Sequence, residues 1–149
     1  MRTSPRARPF LAVLGQAMHV RDLGSGSAAK LMANSTLFGT LGVLGEAIAL
    51  GDALGLSRPT TFAVLATTPS ASQAARRRNT IESRNYPPRF PLALARKDAD
   101  LILAAAAEAG VDLRLATAAA SLLAAAETMG LGDLDYSALL GHILDQHSS

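Results

Sequence analysis

The 149-residue sequence predicts an all-α fold, a bundle of helices built around one long buried helix near its amino end. Three observations carry that expectation. Aromatic residues make up only 4% of the chain and tryptophan is absent, so the core must be aliphatic and alanine-rich, which suits helices better than a sheet. A helical pattern runs over residues 27–55. Beyond it, further helical stretches end at glycines, the residues that most easily turn left-handed at a helix end.

Taken in order, residues 9–16 read as the end of a helix, residues 17–22 ("AMHVRD") as a short strand, and "LGSGS" as a turn. The long helix follows, with Gly55 as its stop; at 1.5 Å per residue it would reach roughly 40 Å. Gly39, Gly42 and Gly45 recur along it, each costing about 1 kcal/mol of helix propensity against alanine, and close packing on a small-residue stripe is the expected compensation. Residues 59–67 fit a short helix or a strand equally. Residues 70–82 read as a polar helix carrying Arg76, Arg77 and Arg78, expected to be solvated. Pro87, Pro88 and Pro91 rule out regular helix over residues 84–91. Helices then resume over 91–109, stopped by Gly110, over 113–129, stopped by Gly130, and over 136–146, with Asp135 as N-cap.

Several functional classes fall away on composition. A net charge of +2, with three adjacent arginines and no interleaved aromatics, gives no nucleic-acid signature. No cysteine is present, which removes disulfides, thiolate nucleophiles and cysteine-bound zinc, and fits a reducing cytoplasm. The histidines show no metal-ligand spacing, so no metal is expected. The uncharged run "LMANSTLFGTLGVLG" is too short for a bilayer, which needs about 20 apolar residues, and a helix buried in protein is expected instead of a membrane span. Arg2, Arg6 and Arg8 before "FLAVLG" only loosely imitate an export signal.

The segment "HVRDLGSGSAAKLMAN" raises a question of chemistry. Gly24-x-Gly26-x-x-Ala29 imitates a dinucleotide-binding turn, yet the acid expected about 20 residues later, Glu46, falls inside a helical pattern, and no strand–helix series follows. The glycines are therefore not expected to bind a cofactor. Lys30 is the stronger clue, because no carboxylate stands at i±3 or i±4 and Asn34 lies one turn later on the same face. A lysine beside an amide can anchor an anionic, oxygen-rich substrate, and a desolvated lysine can exchange protons near neutral pH. A lysine near a helix start can equally extend to solvent, and the pattern leaves both readings open. Lys97, Asp98 and Asp100 interrupt an apolar helix, as a solvated face with local ion pairs would.

Three ordered motifs together resemble one family. "GSGSAAKLMAN" is similar to the G-x-G-x-x-x-K-x-x-x-N signature of the β-hydroxyacid dehydrogenases, the group of 3-hydroxyisobutyrate dehydrogenase and glyoxylate reductase, related to 6-phosphogluconate dehydrogenase. "FPLALARKDADL" resembles the family's later segment through Phe90, Lys97 and Asp98, and "GLGDLDYSALL" its carboxy-terminal stretch. The resemblance implies an amino-terminal Rossmann domain followed by an all-helical domain, here residues 24–149, with residues 1–23 as a remnant of the Rossmann domain's last helix and strand. It implies Lys30 as the catalytic lysine, Asn34, Phe90 and Asp98 as substrate-binding residues, and Lys97 against an NAD or NADP cofactor. Imine-reducing relatives usually replace the lysine, so Lys30 points to the hydroxyacid branch.

Because the sequence carries no counterpart of the cofactor domain or of its glycine-rich substrate loop, the expectation is a chain that is inactive alone and does not bind NAD or NADP unaided. A homodimer through the helical domain, a separate Rossmann half and a small hydroxy acid are the implied partners, in the cytoplasm. A non-enzymatic helical interaction module is the alternative, and a genuine dinucleotide site over residues 17–50 a third reading.

Overall fold

The computed structural model describes Val13, Val20 and residues 24–146. The helix end expected over 9–16 and the strand expected over 17–22 therefore lie outside the described residues, those two valines apart. Six α-helices follow in order: α1 (Ser25–Ala53), α2 (Arg58–Leu65), α3 (Ala71–Ser83), α4 (Leu92–Glu108), α5 (Arg114–Ala126) and α6 (Ala138–Gln146). No strand occurs among the described residues; the lone β-type contact is an antiparallel bridge between Pro91 and Asp135. The all-α expectation holds.

Helix α1 is the spine, and α2 to α6 all pack against it. Phe38, Leu41, Leu44 and Ile48 recur at helical spacing and are each no more than 2% exposed, so burial stabilises each by roughly 1.5–3 kcal/mol. By length and hydropathy α1 could cross a bilayer, yet these residues lie inside a protein core that also takes in Leu92, Leu123, Leu139, Leu140 and Ile143. The sequence predicted a helix buried along its length, and it is buried only in part. Its buried positions begin only at Phe38; the turns before it alternate between exposed and part-buried residues, with Leu31 and Leu37 resting on the core.

Local chemistry explains the ends. Gly55 is left-handed at φ 79°, and the amides of Gly55 and Leu56 donate to the carbonyls of Asp52 and Gly51, closing α1 in a Schellman turn. Gly110 closes α4 in the same way, through Gly110 to Ala107 and Val111 to Ala106. The stretch over 59–67 resolves as helix: the Ser57 hydroxyl accepts from the Thr60 amide, Pro59 occupies the first turn, and Arg58 forks onto Asp52 at 2.8 and 2.6 Å. Helix α5 runs on into a wider π-type turn, Glu127–Leu131, broken by Gly130 at φ 83°.

The three glycines of α1 are not equivalent. A Cβ on Gly45 would stand 2.8 Å from Ile143 Cδ1 of α6, and one on Gly42 would touch Leu122 of α5 at 3.4 Å. One on Gly39 would meet nothing within 4 Å. Close packing therefore explains Gly45 and Gly42 but not Gly39, which lines an open groove of about 710 Å³ between α1 and the start of α5.

The proline-rich segment 84–91 is irregular, as expected, but firmly held. Asp135 donates its amide to the Tyr86 carbonyl, Tyr136 to that of Phe90, and Leu92 to that of Leu134. These bonds set the point from which α4 starts.

Candidate functional site

Helices α1 and α4 bring together three of the five residues singled out in the sequence. Lys30 and Asn34 lie one turn apart on α1, and Asp98 projects from α4, 68 and 64 positions away in sequence. Lys30 Nζ stands 3.2 Å from Asp98 Oδ1 and 3.0 Å from Oδ2, and Asn34 Nδ2 donates to Oδ2 at 2.9 Å. The carboxylate that local sequence denied to Lys30 is thus supplied from another helix. Exposure divides the pair unequally: the side chain of Asp98 is 12% exposed and that of Lys30 62%. An ion pair so open on one side contributes no more than about 1 kcal/mol. Its effect is geometric, since the fixed carboxylate aims the ammonium group.

Phe90 and Lys97 are not part of this contact. Phe90, half-buried just before α4, packs edge-on against Tyr136 with ring centroids 5.7 Å apart. Tyr136 in turn meets Phe38 edge-on at 6.3 Å, and Phe38 lies one turn beyond Asn34 on α1. Phe90 is therefore linked to the lysine helix through two further rings. Lys97 is exposed and makes no ion pair or hydrogen bond among the described residues. Asp100 pairs with Arg96 one turn earlier, so the solvated face expected for this stretch describes Lys97 and Asp100 but not the buried Asp98.

The arginine run hides a second cluster that sequence reasoning missed. Arg77, expected in solvent, has a side chain only 12% exposed; it stands 3.4 Å from Asp135 Oδ1, and its guanidinium donates to the Tyr136 hydroxyl. The last helix begins at Ala138 and not at residue 136, so Asp135 is not its N-cap. It holds the turn before that helix, accepting from the Ser137 amide at 3.1 Å and the Ser137 hydroxyl, and it also accepts the Phe90 amide at 3.2 Å. Burial pushes the Asp135 carboxyl up, yet these hydrogen bonds and the Arg77 charge outweigh it and hold the group below its ordinary value. No feature of the sequence separates Arg77 from its neighbours Arg76 and Arg78. The stretch "GDLDYSALL" was the available pointer, because it placed Asp135 and Tyr136 in a motif.

Among the described residues the arrangement offers one feature of a dinucleotide site. Lys97, an exposed cation with no partner among the described residues, suits an anionic group. Gly26 and Ala29 are helical, Glu46 lies mid-helix in α1, and no strand follows it among the described residues, so the acid that would take a ribose hydroxyl is not at a strand end. No group of three potential metal ligands occurs among the described residues.

Comparison with known proteins agrees with this architecture. A family described as the NAD-binding part of NADP-dependent 3-hydroxyisobutyrate dehydrogenase matches residues 24–143, and the chain belongs to that family. It is 31% identical to glyoxylate/succinic semialdehyde reductase 1 of Arabidopsis thaliana over 89% of this chain and 46% of that protein. With 2-(hydroxymethyl)glutarate dehydrogenase of Eubacterium barkeri it shares 32% identity over 91% of this chain and 46% of that one. The 3-hydroxyisobutyrate dehydrogenase of Mycobacterium tuberculosis, solved with L-serine, superposes with a TM-score of 0.80 at 29% identity, over 93% of this chain and 50% of that structure. The chain thus spans about half the length of the relatives it matches.

Proposed function

We propose that the chain is the helical substrate-binding half of an NAD(P)-dependent dehydrogenase of small β-hydroxy acids, inactive until joined to a cofactor-binding half. The observation that carries the reading is the convergence of Lys30 and Asn34 of α1 on the Asp98 carboxylate of α4. In this reading Lys30 exchanges the proton of the substrate hydroxyl, while Asp98, itself held by the Asn34 amide, keeps the ammonium group in place. Asn34 has a second role, as a hydrogen-bond donor or acceptor to the substrate. Phe90 forms an apolar wall that excludes water, and Lys97 meets an anionic part of the cofactor. A bound nicotinamide would supply or accept the hydride.

The exposure of Lys30 supports a missing wall. Proton exchange is efficient in a closed site, and the open side of Lys30 is where a second half would close it. A second copy is the proposed occupant of the groove beside Gly39, where Val43 and Leu115 stand exposed and an apolar two-fold contact would cover them. The location that goes with this reading is the cytoplasm.

Titration of the purified chain with NADH and NADPH, followed by nicotinamide fluorescence, tests the central claim. No saturable binding, together with turnover of hydroxy acids once a Rossmann half is added and its loss in Lys30→Ala, is the expected pattern. Tight binding by the chain alone would restore the Gly24–Ala29 segment as a cofactor site, and an assembled enzyme indifferent to Lys30→Ala would favour a helical interaction module. Light scattering reads the proposed dimer directly.

A further inference from the structure

The cluster of Arg77, Asp135 and Tyr136 lies outside the contact among Lys30, Asn34 and Asp98, yet it touches both walls on which that contact stands. Tyr136 is the hinge pin. One face of its ring carries the Arg77 guanidinium, 4.7 Å from the centroid, and Phe38 of α1 and Phe90 before α4 meet it nearly perpendicular, at 72° and 71°. Its amide also donates to the Phe90 carbonyl at 2.9 Å. Asp135 fastens the same place from the other side, because Oδ2 takes the Phe90 amide while Oδ1 faces Arg77.

A buried ion pair is a poor device for stability alone, since apolar residues of similar volume commonly replace one without loss. This one has a directional consequence. Arg77 comes from α3, a helix that contributes nothing else to the site, and its planar fork reaches a carboxylate and a phenol that both bond to Phe90 or pack on it. Without the guanidinium, the buried Tyr136 hydroxyl and one Asp135 oxygen each lose a donor, and the cheapest remedy is rotation of the phenol ring. That rotation moves the ring against which Phe90 rests.

We propose that Arg77 is a positioning residue: through Tyr136 and Asp135 it fixes the Phe90 ring relative to the Lys30, Asn34 and Asp98 contact. The inference rests on the reading of Phe90 as a wall of the substrate site, but its geometry can be tested without turnover. The chain has only four phenylalanines and two tyrosines, so ring-labelled NMR of the full chain resolves Phe90 and Tyr136 individually.

In Arg77→Met, the Phe90 ring resonances are expected to shift and the Phe90–Tyr136 cross-peaks to weaken, with helix content retained. Arg77→Lys keeps the charge without the fork and should restore the parent spectrum only in part. Arg78→Met is the control on the same helix: Arg78 stacks 4.9 Å over Phe62 and pairs with Glu82, so Phe62 should respond and Phe90 should not. If Arg77→Met fails to fold, Tyr136→Phe removes only the hydroxyl that Arg77 reaches, and Phe90 should still shift. Phe90 resonances that coincide with the parent's in whichever of these variants folds would overturn the proposal, as would an equal Phe90 shift in Arg78→Met. Absence of activity in the assembled enzyme would count against the reading of the site and leave the Arg77 result standing.

Discussion

Two carboxylates organise this domain, and they differ in the company they keep. Asp98 holds a lysine that remains 62% exposed and a single amide. Asp135, with a side chain 5% exposed, holds an arginine, a hydroxyl and two backbone amides. The first arrangement leaves a cation facing outward, free to meet a further group. The second is closed on itself and joins α3, the segment before α4 and the turn before α6. Display belongs to Asp98 and bracing to Asp135.

Substitutions can break that contrast or sharpen it. The largest effect is expected at the brace: Asp135→Ala strands the buried Arg77 charge and should cost about 3–5 kcal/mol in urea unfolding. A loss below about 1 kcal/mol would put Asp135 in the same class as an exposed pair and dissolve the contrast. Its pH dependence follows from the lowered carboxyl. A group held below its unfolded value stabilises the fold fully above that value, about 4, and the stabilisation disappears as pH falls through the lower folded value. Stability should therefore decline over that acidic window in the parent, and less so in Asp135→Asn.

Next in size is the seam between α1 and α6. Gly45→Ala forces a methyl to within 2.8 Å of Ile143, a clash expected to cost about 1–3 kcal/mol, less what alanine returns in helix propensity. The same change at Gly39 meets nothing within 4 Å and should stabilise an isolated chain by up to about 1 kcal/mol. Thermal unfolding of the two variants side by side is decisive; a loss at Gly39 would mean that a second copy already fills the groove. The smallest effect on folding is expected at Lys30. Lys30→Ala should change stability by less than about 1 kcal/mol while removing all activity from the assembled enzyme.

Much of this was legible in the sequence, and the parts that were not share a cause. Helix positions follow from local signals: Gly55 and Gly110 end helices because they alone take the left-handed turn cheaply, and the prolines of 84–91 exclude a helix. Residues 59–67 stayed ambiguous because their β-branched residues suit a strand, although Ser57 and Pro59 already marked a helix start. Lys30 and Asn34 could be paired by spacing, since one turn separates them. Asp98 entered through a motif, and its contact with them spans more than 60 residues, which no periodicity reports. Arg77 was misread for the same reason: solvation is decided by what a distant segment brings to it, here Asp135 and Tyr136. Gly39, Gly42 and Gly45 look alike in sequence and differ only in what α5 and α6 place opposite them.

The part-buried start of α1 has a mechanical meaning. The helix is clamped by the core from Phe38 onward, and before it only the part-buried Leu31 and Leu37 rest on the core. Lys30 therefore sits on a lightly held arm about 12 Å beyond the clamp at 1.5 Å per residue. A tilt of about 5° at the clamp swings the tip by about 1 Å, a displacement large enough to cost a reaction on the order of a hundredfold. The bond from Asp98 acts as a guy-wire on that arm. Cutting it would leave the mast standing and let its tip wander.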